Sequence, residues 1–375
     1  MTLVEFVPPT PHPLWKLCPQ MGITDIIVKV NPELTGLPDP WRYGTLSRIV
    51  AHLADAGLKV VGLEGDPFDM SPIKEYGIAP ATGSLGVQER QERKILQNSK
   101  TPNSESNSEL SRSKAIAHYR ELLESMGRLG IKLLCYNFMV GKGWSRTGVR
   151  EVRGGAKATY FSLNNSLTQS PQSSLSSCEE TLRTSRTSRE ELILTSEQVW
   201  ANYEHFIKAV IPTAEKCGVR MGLHPDDPCL PSLGGYARIF GSVEAYDRAY
   251  SIYPSPSNAV TFCQANFKLM GVDLEEMAWH FGKRIAFIHV RDVEGTKENF
   301  TELFHDQGDT DQFALMRTYR EIGLDVPVRG DHVPEMAYDR TLTPEGTPGY
   351  FTLGRLFANG YLKALLSGSE RLPTK

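Results

Sequence analysis

Eight short apolar runs punctuate the chain: LVEFV (3–7), DIIVKV (25–30), LKVVGLE (58–64), IKLLCYNF (131–138), VRMGLH (219–224), AVTFC (259–263), RIAFIHV (284–290) and VPVRG (326–330). Most are continuously apolar and do not alternate, the pattern of parallel strands covered by helices. Between them lie segments with apolar residues at i, i+3 and i+4. The clearest carries Val199, Trp200, Tyr203, Phe206, Ile207, Val210 and Ile211 on one stripe. Thr195 with Gln198 makes a capping-box pattern in front of it, and Gly218 suits its C-terminal end. Further helices are predicted over 45–56, 114–129, 243–252, 273–281 and 313–322. Strand and helix in repeated alternation predict an α/β fold, a (β/α)8 TIM barrel formed by residues 1–375 as a single domain. A doubly wound open sheet is the competing arrangement, but no GxGxxG follows the early strands.

Two stretches break this texture. Residues 97–113 are almost purely polar, and residues 162–190 are rich in Ser, Thr and Arg. Neither carries enough apolar surface to offset its ordering entropy, so both are expected to be mobile loop insertions. Charge narrows the function classes. Lys plus Arg number 41 against 44 Asp plus Glu, a net charge of -3. No basic field exists to draw phosphate backbones, which argues against a nucleic-acid binder. No stretch is apolar for long enough to cross a membrane, and the start MTLVEFVPPTPHPLW lacks a signal-peptide pattern. Six cysteines without a CxxC pair suit a reducing compartment, so a cytoplasmic location is expected.

In a TIM barrel the C-terminal ends of the strands line the active site. Four of the apolar runs end there in His224, Cys263, His289 and the pair Asp331-His332. Two imidazoles, a thiol and a carboxylate from separate strands form a metal-binding set. Each residue alone has a plainer reading: Cys263 as a small core residue, Asp331 as a turn cap, a histidine as a satisfied polar group. It is their coincidence on one face that points to a site. HPDDP (224–228) follows the fifth run with two carboxylates able to orient a ligand. In HVRD (289–292), His289 and Arg291 share one strand face. Arg291 can there grip a substrate carboxylate, or pair with an Asp across the barrel mouth. His305, after the seventh run, is a further candidate on the same side, whereas His12, His52, His118, His205 and His280 are assigned no chemistry.

Together with VWANYEHFIKAVIPTAEKCGVRMGLHPDDP, TFCQANFKLMG, RIAFIHVRD, VPVRGDHVP and TPGYFTLGR, these motifs resemble the mannonate dehydratase family, metal-dependent sugar-acid dehydratases on a xylose-isomerase-like barrel. LLCYNFM with GWSRTG resembles the family's segment after the fourth strand. The likeness spans most of residues 20–366. It implies a divalent ion, Mn2+ with Fe2+ as the alternative, held by His224, Cys263, His289 and Asp331. It also implies that His332, Tyr350 and Arg291 act on the substrate. Tyr136, Asn137, Trp144 and Arg146, with Arg238 more remotely, are matched to the sugar-binding end. The chain departs from the family at NFMVGKGWSRTG, at Gln264-Ala265-Asn266, at CLPSLGGYARI and in the first strand, all outside the ligand set.

The implied reaction is dehydration of D-mannonate to 2-keto-3-deoxy-D-gluconate through a metal-stabilised enediolate, with His332 and Tyr350 as the proton-transfer pair. The residues themselves do not say which is acid and which is base. A sugar isomerase or epimerase on the same barrel, a metal-dependent phosphodiesterase and a non-catalytic sugar-acid binder are the competing readings. Identification of the product separates the first, and the charge balance opposes the second. The partner expected is a small sugar acid, and a homo-oligomer is expected.

Overall fold

The computed structural model describes residues 1–77, 104–141, 143–163 and 193–370. Its centre is a closed ring of parallel strands. The first, β1, comes in two pieces, Thr2–Leu3 and Glu5–Val7. It is followed by β2 (Asp25–Val28), β3 (Lys59–Glu64), β4 (Leu133–Tyr136), β5 (Arg220–Leu223), β6 (Asn258–Cys263), β7 (Ile285–Val290) and β8 (Pro327–Gly330). Each strand pairs in parallel with its neighbours in sequence. Thr2–Leu3 pairs with β8 while Glu5–Val7 pairs with β2, so β1 closes the barrel by serving both edges. Each of the eight apolar runs overlaps one of these strands, and the open-sheet alternative falls away.

Helices cover the barrel where the 3.6-residue periodicity places them. Ser196–Cys217 begins with the Thr195–Gln198 capping box and ends at Gly218 with φ 62°. Its inward stripe, from Val199 to Ile211, is buried, and Phe206 meets Tyr119 with ring centroids 4.9 Å apart. Tyr43–Asp55, Val243–Ile252, Leu274–Phe281 and Gln312–Glu321 lie within two residues of expectation. Among the described residues, no helix is long and apolar enough to cross a membrane.

Two corrections concern the polar stretches. Residues 97–103 lie outside the described residues, but from Ser104 the chain is already helical, in a single helix Ser104–Leu129. A solvent-facing turn needs no apolar period to propagate a helix whose far end is packed. Local contacts assist: Arg112 pairs with Glu109 at 2.5 Å, and its guanidinium lies 3.6 Å over the Tyr76 ring. The second stretch, 162–190, begins on a strand end, since Lys157–Ser162 is β-structure; residues 164–190 lie outside the described residues.

That strand belongs to an antiparallel sheet that the hydrophobic pattern does not announce. Gly148–Glu151 pairs with Lys157–Ser162, which pairs with Asn299–Glu302, which pairs with Val293–Thr296. The segments leaving β4 and β7 thus join into one flap beside the C-terminal mouth of the barrel, with Phe161 and Phe300 stacked at 5.9 Å.

Candidate active site

Register explains why the candidate residues converge. Paired residues in a sheet point to the same face, and Cys263, His289 and Arg329 are partners across β6, β7 and β8. Glu64 and Cys135 are partners across β3 and β4 in the same way. Asp331 lies two residues beyond Arg329, and His224 directly follows β5. The donor atoms of His224, Cys263, His289 and Asp331 all lie within 4.8 Å of one another.

The chemistry of this group suits a divalent ion. Both ring nitrogens of fully buried His289 lack a hydrogen-bond partner. The nearest carboxylate oxygens are on Asp331, 3.8 Å from Nδ1, and Glu64, 3.6 Å from Nε2. A buried imidazole with two unmet nitrogens is costly unless something binds it. His224 donates from Nδ1 to the Pro225 carbonyl at 2.8 Å, which leaves Nε2 as a lone-pair donor. Burial, then the neighbouring His289, pushes His224 down to about 4, so its ring is neutral at pH 7. Burial and Arg329 lower His289 likewise. For Asp331 burial is outweighed by His332, Arg329 and His289, which hold the carboxyl well below the usual range. Cys263 is pushed up to about 12 by burial, against the pull of Arg291. Among the described residues Glu64, Cys135 and His289 form a second close trio, but Glu64 is committed to Arg329 at 2.7 Å.

Beside the four donors lie His332 and Tyr350. The Tyr350 hydroxyl is 2.9 Å from His332 Nε2, and His332 Nδ1 is 2.7 Å from Glu302 Oε1. Burial, then the Asp331 charge, pushes the Tyr350 phenol well up, so it stays protonated beside Nε2. Glu302 is buried, yet Arg146, His332 and Arg291 hold it at about 2, so it accepts from Nδ1–H. A carboxylate can only accept, so the Glu302 contact requires a proton on His332 Nδ1. The Trp144 ring lies over it at 4.8 Å.

A cavity of about 410 Å³ opens onto this group. It is lined by His224, Asp331, His332 and Tyr350, and by Tyr136, Asn137 and Trp144 from the segment after β4. Arg291, Arg146 and Arg238 sit elsewhere. Arg291 is 1 % exposed and lies behind the wall, with Nη1 2.8 Å from Asp227 and 3.3 Å from Asp331. Of the two roles open to it, the placement supports the ion pair, not a direct grip on substrate. Arg146 forms a two-pronged pair with Asp227 at 2.6 and 3.0 Å and reaches Glu302 at 2.5 Å. Arg238 pairs with Asp226 at 3.4 Å and donates to the Gly143 carbonyl. These arginines shape the carboxylates that shape the site. His305 is fully buried and does not line the cavity.

Glu302, Arg329 and Glu64 were not among the residues the sequence pointed to. Two-residue alternation back from Asp331 was enough to place Arg329 inside the barrel. Glu302 had no such signal, because its strand belongs to the flap.

Fold and site together define a xylose-isomerase-like TIM barrel with a buried cluster of residues that could hold a metal ion. A solved xylose isomerase domain protein from Planctomyces limnophilus shares this fold, with a TM-score of 0.52 at 12% identity over 99% of this chain and 97% of that one. The match to one family is closer: residues 77–374 fit D-mannonate dehydratase (UxuA), and the chain belongs to that family of hydro-lyases. Mannonate dehydratase from Lachnoclostridium phytofermentans is 31% identical over 70% of this chain and 77% of that protein. The one from Brachyspira hyodysenteriae is 28% identical over 94% and 93%. The solved mannonate dehydratase from Streptococcus suis superposes with a TM-score of 0.75 at 25% identity, covering 99% of this chain and 94% of that one.

Proposed function

We propose that this chain dehydrates D-mannonate to 2-keto-3-deoxy-D-gluconate, with Mn2+, or failing that Fe2+, held by His224, Cys263, His289 and Asp331. The observation that carries the reading is the hydrogen-bonded His332–Tyr350 pair, facing the cavity next to the four donors in a member of this family. A bound divalent ion supplies positive charge that makes the C2 proton of a sugar acid more acidic. The thiol would favour a softer ion, while two imidazoles and a carboxylate suit Mn2+ and Fe2+ equally.

The chain's own groups then move two protons. His332 Nε2 takes the proton from C2, and Glu302 offsets the charge that appears on the ring. The Tyr350 hydroxyl delivers its proton to the C3 hydroxyl, which leaves as water. His332 returns the C2 proton to the Tyr350 oxygen across their 2.9 Å contact, and the enol ketonises to product. Each atom is accounted for, and the pair ends as it began. Arg291 holds Asp227 and Asp331 in place. The test is incubation of the Mn2+-loaded protein with D-mannonate and a panel of six-carbon aldonic acids. Formation of no 2-keto-3-deoxy acid from any of them would remove the reading, and an epimer without water loss would move the chain to the isomerases.

With Arg291 behind the wall, Lys29 becomes the ligand-facing cation. Among the described residues lining the cavity, Lys74 is paired with Asp66 at 2.7 Å, whereas Lys29 has no carboxylate within ion-pair distance. It follows β2, across the barrel from β6 and Cys263, and lines the same cavity. A hydrogen bond from a charged group contributes about 1.5–3 kcal/mol. Lys29→Met is therefore expected to raise KM by about tenfold to a hundredfold with kcat nearly unchanged. Steady-state kinetics on D-mannonate measure it; an unchanged KM would place the ammonium outside the binding interaction.

A further inference from the structure

We infer that Glu302 is a positioning residue that, with His332 and Tyr350, forms one proton-transfer unit, and that the antiparallel flap exists in part to deliver it. The inference rests on the dehydratase reading above and adds to it a residue outside the barrel.

Glu302 ends the strand Asn299–Glu302, is 1 % exposed and does not line the cavity. Its carboxylate is held from every side. Oε1 accepts from Arg146 Nε at 3.1 Å and Nη2 at 2.5 Å, and Oε2 accepts from the Thr159 hydroxyl of the neighbouring flap strand. The remaining hydrogen bond is the 2.7 Å contact to His332 Nδ1, with Arg291 Nε 3.7 Å from Oε1 as a further ion pair. An ionised carboxylate can only accept, so that bond requires a proton on Nδ1, and Nε2 is the nitrogen that faces the Tyr350 hydroxyl. A competitor for the same nitrogen is present. Arg291 Nη1 lies 3.2 Å from Nδ1 and can only donate. With Glu302 removed, Arg291 would favour a lone pair on Nδ1, moving the proton to Nε2. There it would confront the Tyr350 hydroxyl, and His332 could no longer take a proton from C2. Glu302 therefore selects the working tautomer against an adjacent arginine.

The test pairs Glu302→Gln with Glu302→Leu. A glutamine can still accept from Nδ1–H through its carbonyl but carries no charge, so kcat should fall about 10- to 100-fold. Leucine keeps neither property, and loss of the tautomer should cost about 10³- to 10⁴-fold. KM should stay within about threefold and metal content should not change. In a His332→Asn background, Glu302→Gln should have almost no further effect on kcat, because members of one unit are not additive. A purely structural glutamate would give the same loss in both backgrounds. A readout without substrate separates this inference from the proposed reaction. In the Zn2+-loaded protein, the His332 ring ¹⁵N signals, assigned by their absence in His332→Asn, should report Nδ1–H in the parent chain and Nε2–H in Glu302→Leu. Additive kinetics, or Nε2–H already in the parent chain, would overturn it. Should the leucine variant fail to fold, the glutamine cycle decides alone.

Discussion

Titration of the metal-free chain with Mn2+ at pH 7 is expected to release about one proton per chain. The count follows from the state of each donor. Burial keeps Cys263 protonated until a pH of about 12, yet only the thiolate is a metal ligand, so its proton must leave. His224, pushed down to about 4, and His289 are already neutral, and Asp331 is already ionised. None of the three contributes. Because a raised pKa is being displaced, apparent affinity should climb about tenfold for each pH unit above neutrality. Calorimetry in two buffers of different ionisation enthalpy measures the proton directly. In Cys263→Ser the release should vanish and affinity should fall at least about a hundredfold, since losing even an outer partner of a ligand costs about 10- to 100-fold. Wild-type affinity in that variant would return Cys263 to a packing role.

Turnover should collapse when either member of the proton-transfer pair is removed. His332→Asn and Tyr350→Phe are each expected to lower kcat on D-mannonate about 10²- to 10⁴-fold with metal content unchanged. The two losses differ in kind. A phenylalanine removes the group that protonates the C3 hydroxyl but leaves His332 Nε2 free to take the C2 proton. Tyr350→Phe should therefore still exchange C2 hydrogen with D2O, while His332→Asn should not. Proton exchange at the wild-type rate in His332→Asn would give the base role to another group.

The barrel and the four donors could be read from the sequence for one physical reason. Continuous apolar runs mark buried parallel strands, and a barrel places the residues that end them on one face. His289 lies on the inner face of β7, and Arg291, one residue past the strand end, falls on the same side by alternation. What alternation cannot give is the neighbour across the barrel, and Asp227, not a ligand, is what the Arg291 guanidinium meets. Glu302 was hidden for a different reason. Asn299–Glu302 is a four-residue strand whose one large apolar side chain is Phe300, and no period can be drawn from it. The start of the Ser104–Leu129 helix was equally invisible, because SESNSELSRS has no apolar stripe and inherits its helix from the packed turns that follow.

The flap divides the labour of the site. The proposed metal ligands come from strand ends of the barrel, whereas Glu302, the carboxylate on His332 Nδ1, arrives on a hairpin clasped to a second hairpin some 140 residues earlier in the chain. Binding an ion and turning over a sugar acid thus depend on separable pieces of architecture. Mutations that loosen the clasp between Tyr160 and Thr301 would yield a loaded but idle barrel, while those in the barrel core would remove both properties. Divergence on this scaffold therefore has two independent routes: one retunes the ion, and the other exchanges the hairpins to move the protons differently around the same ion.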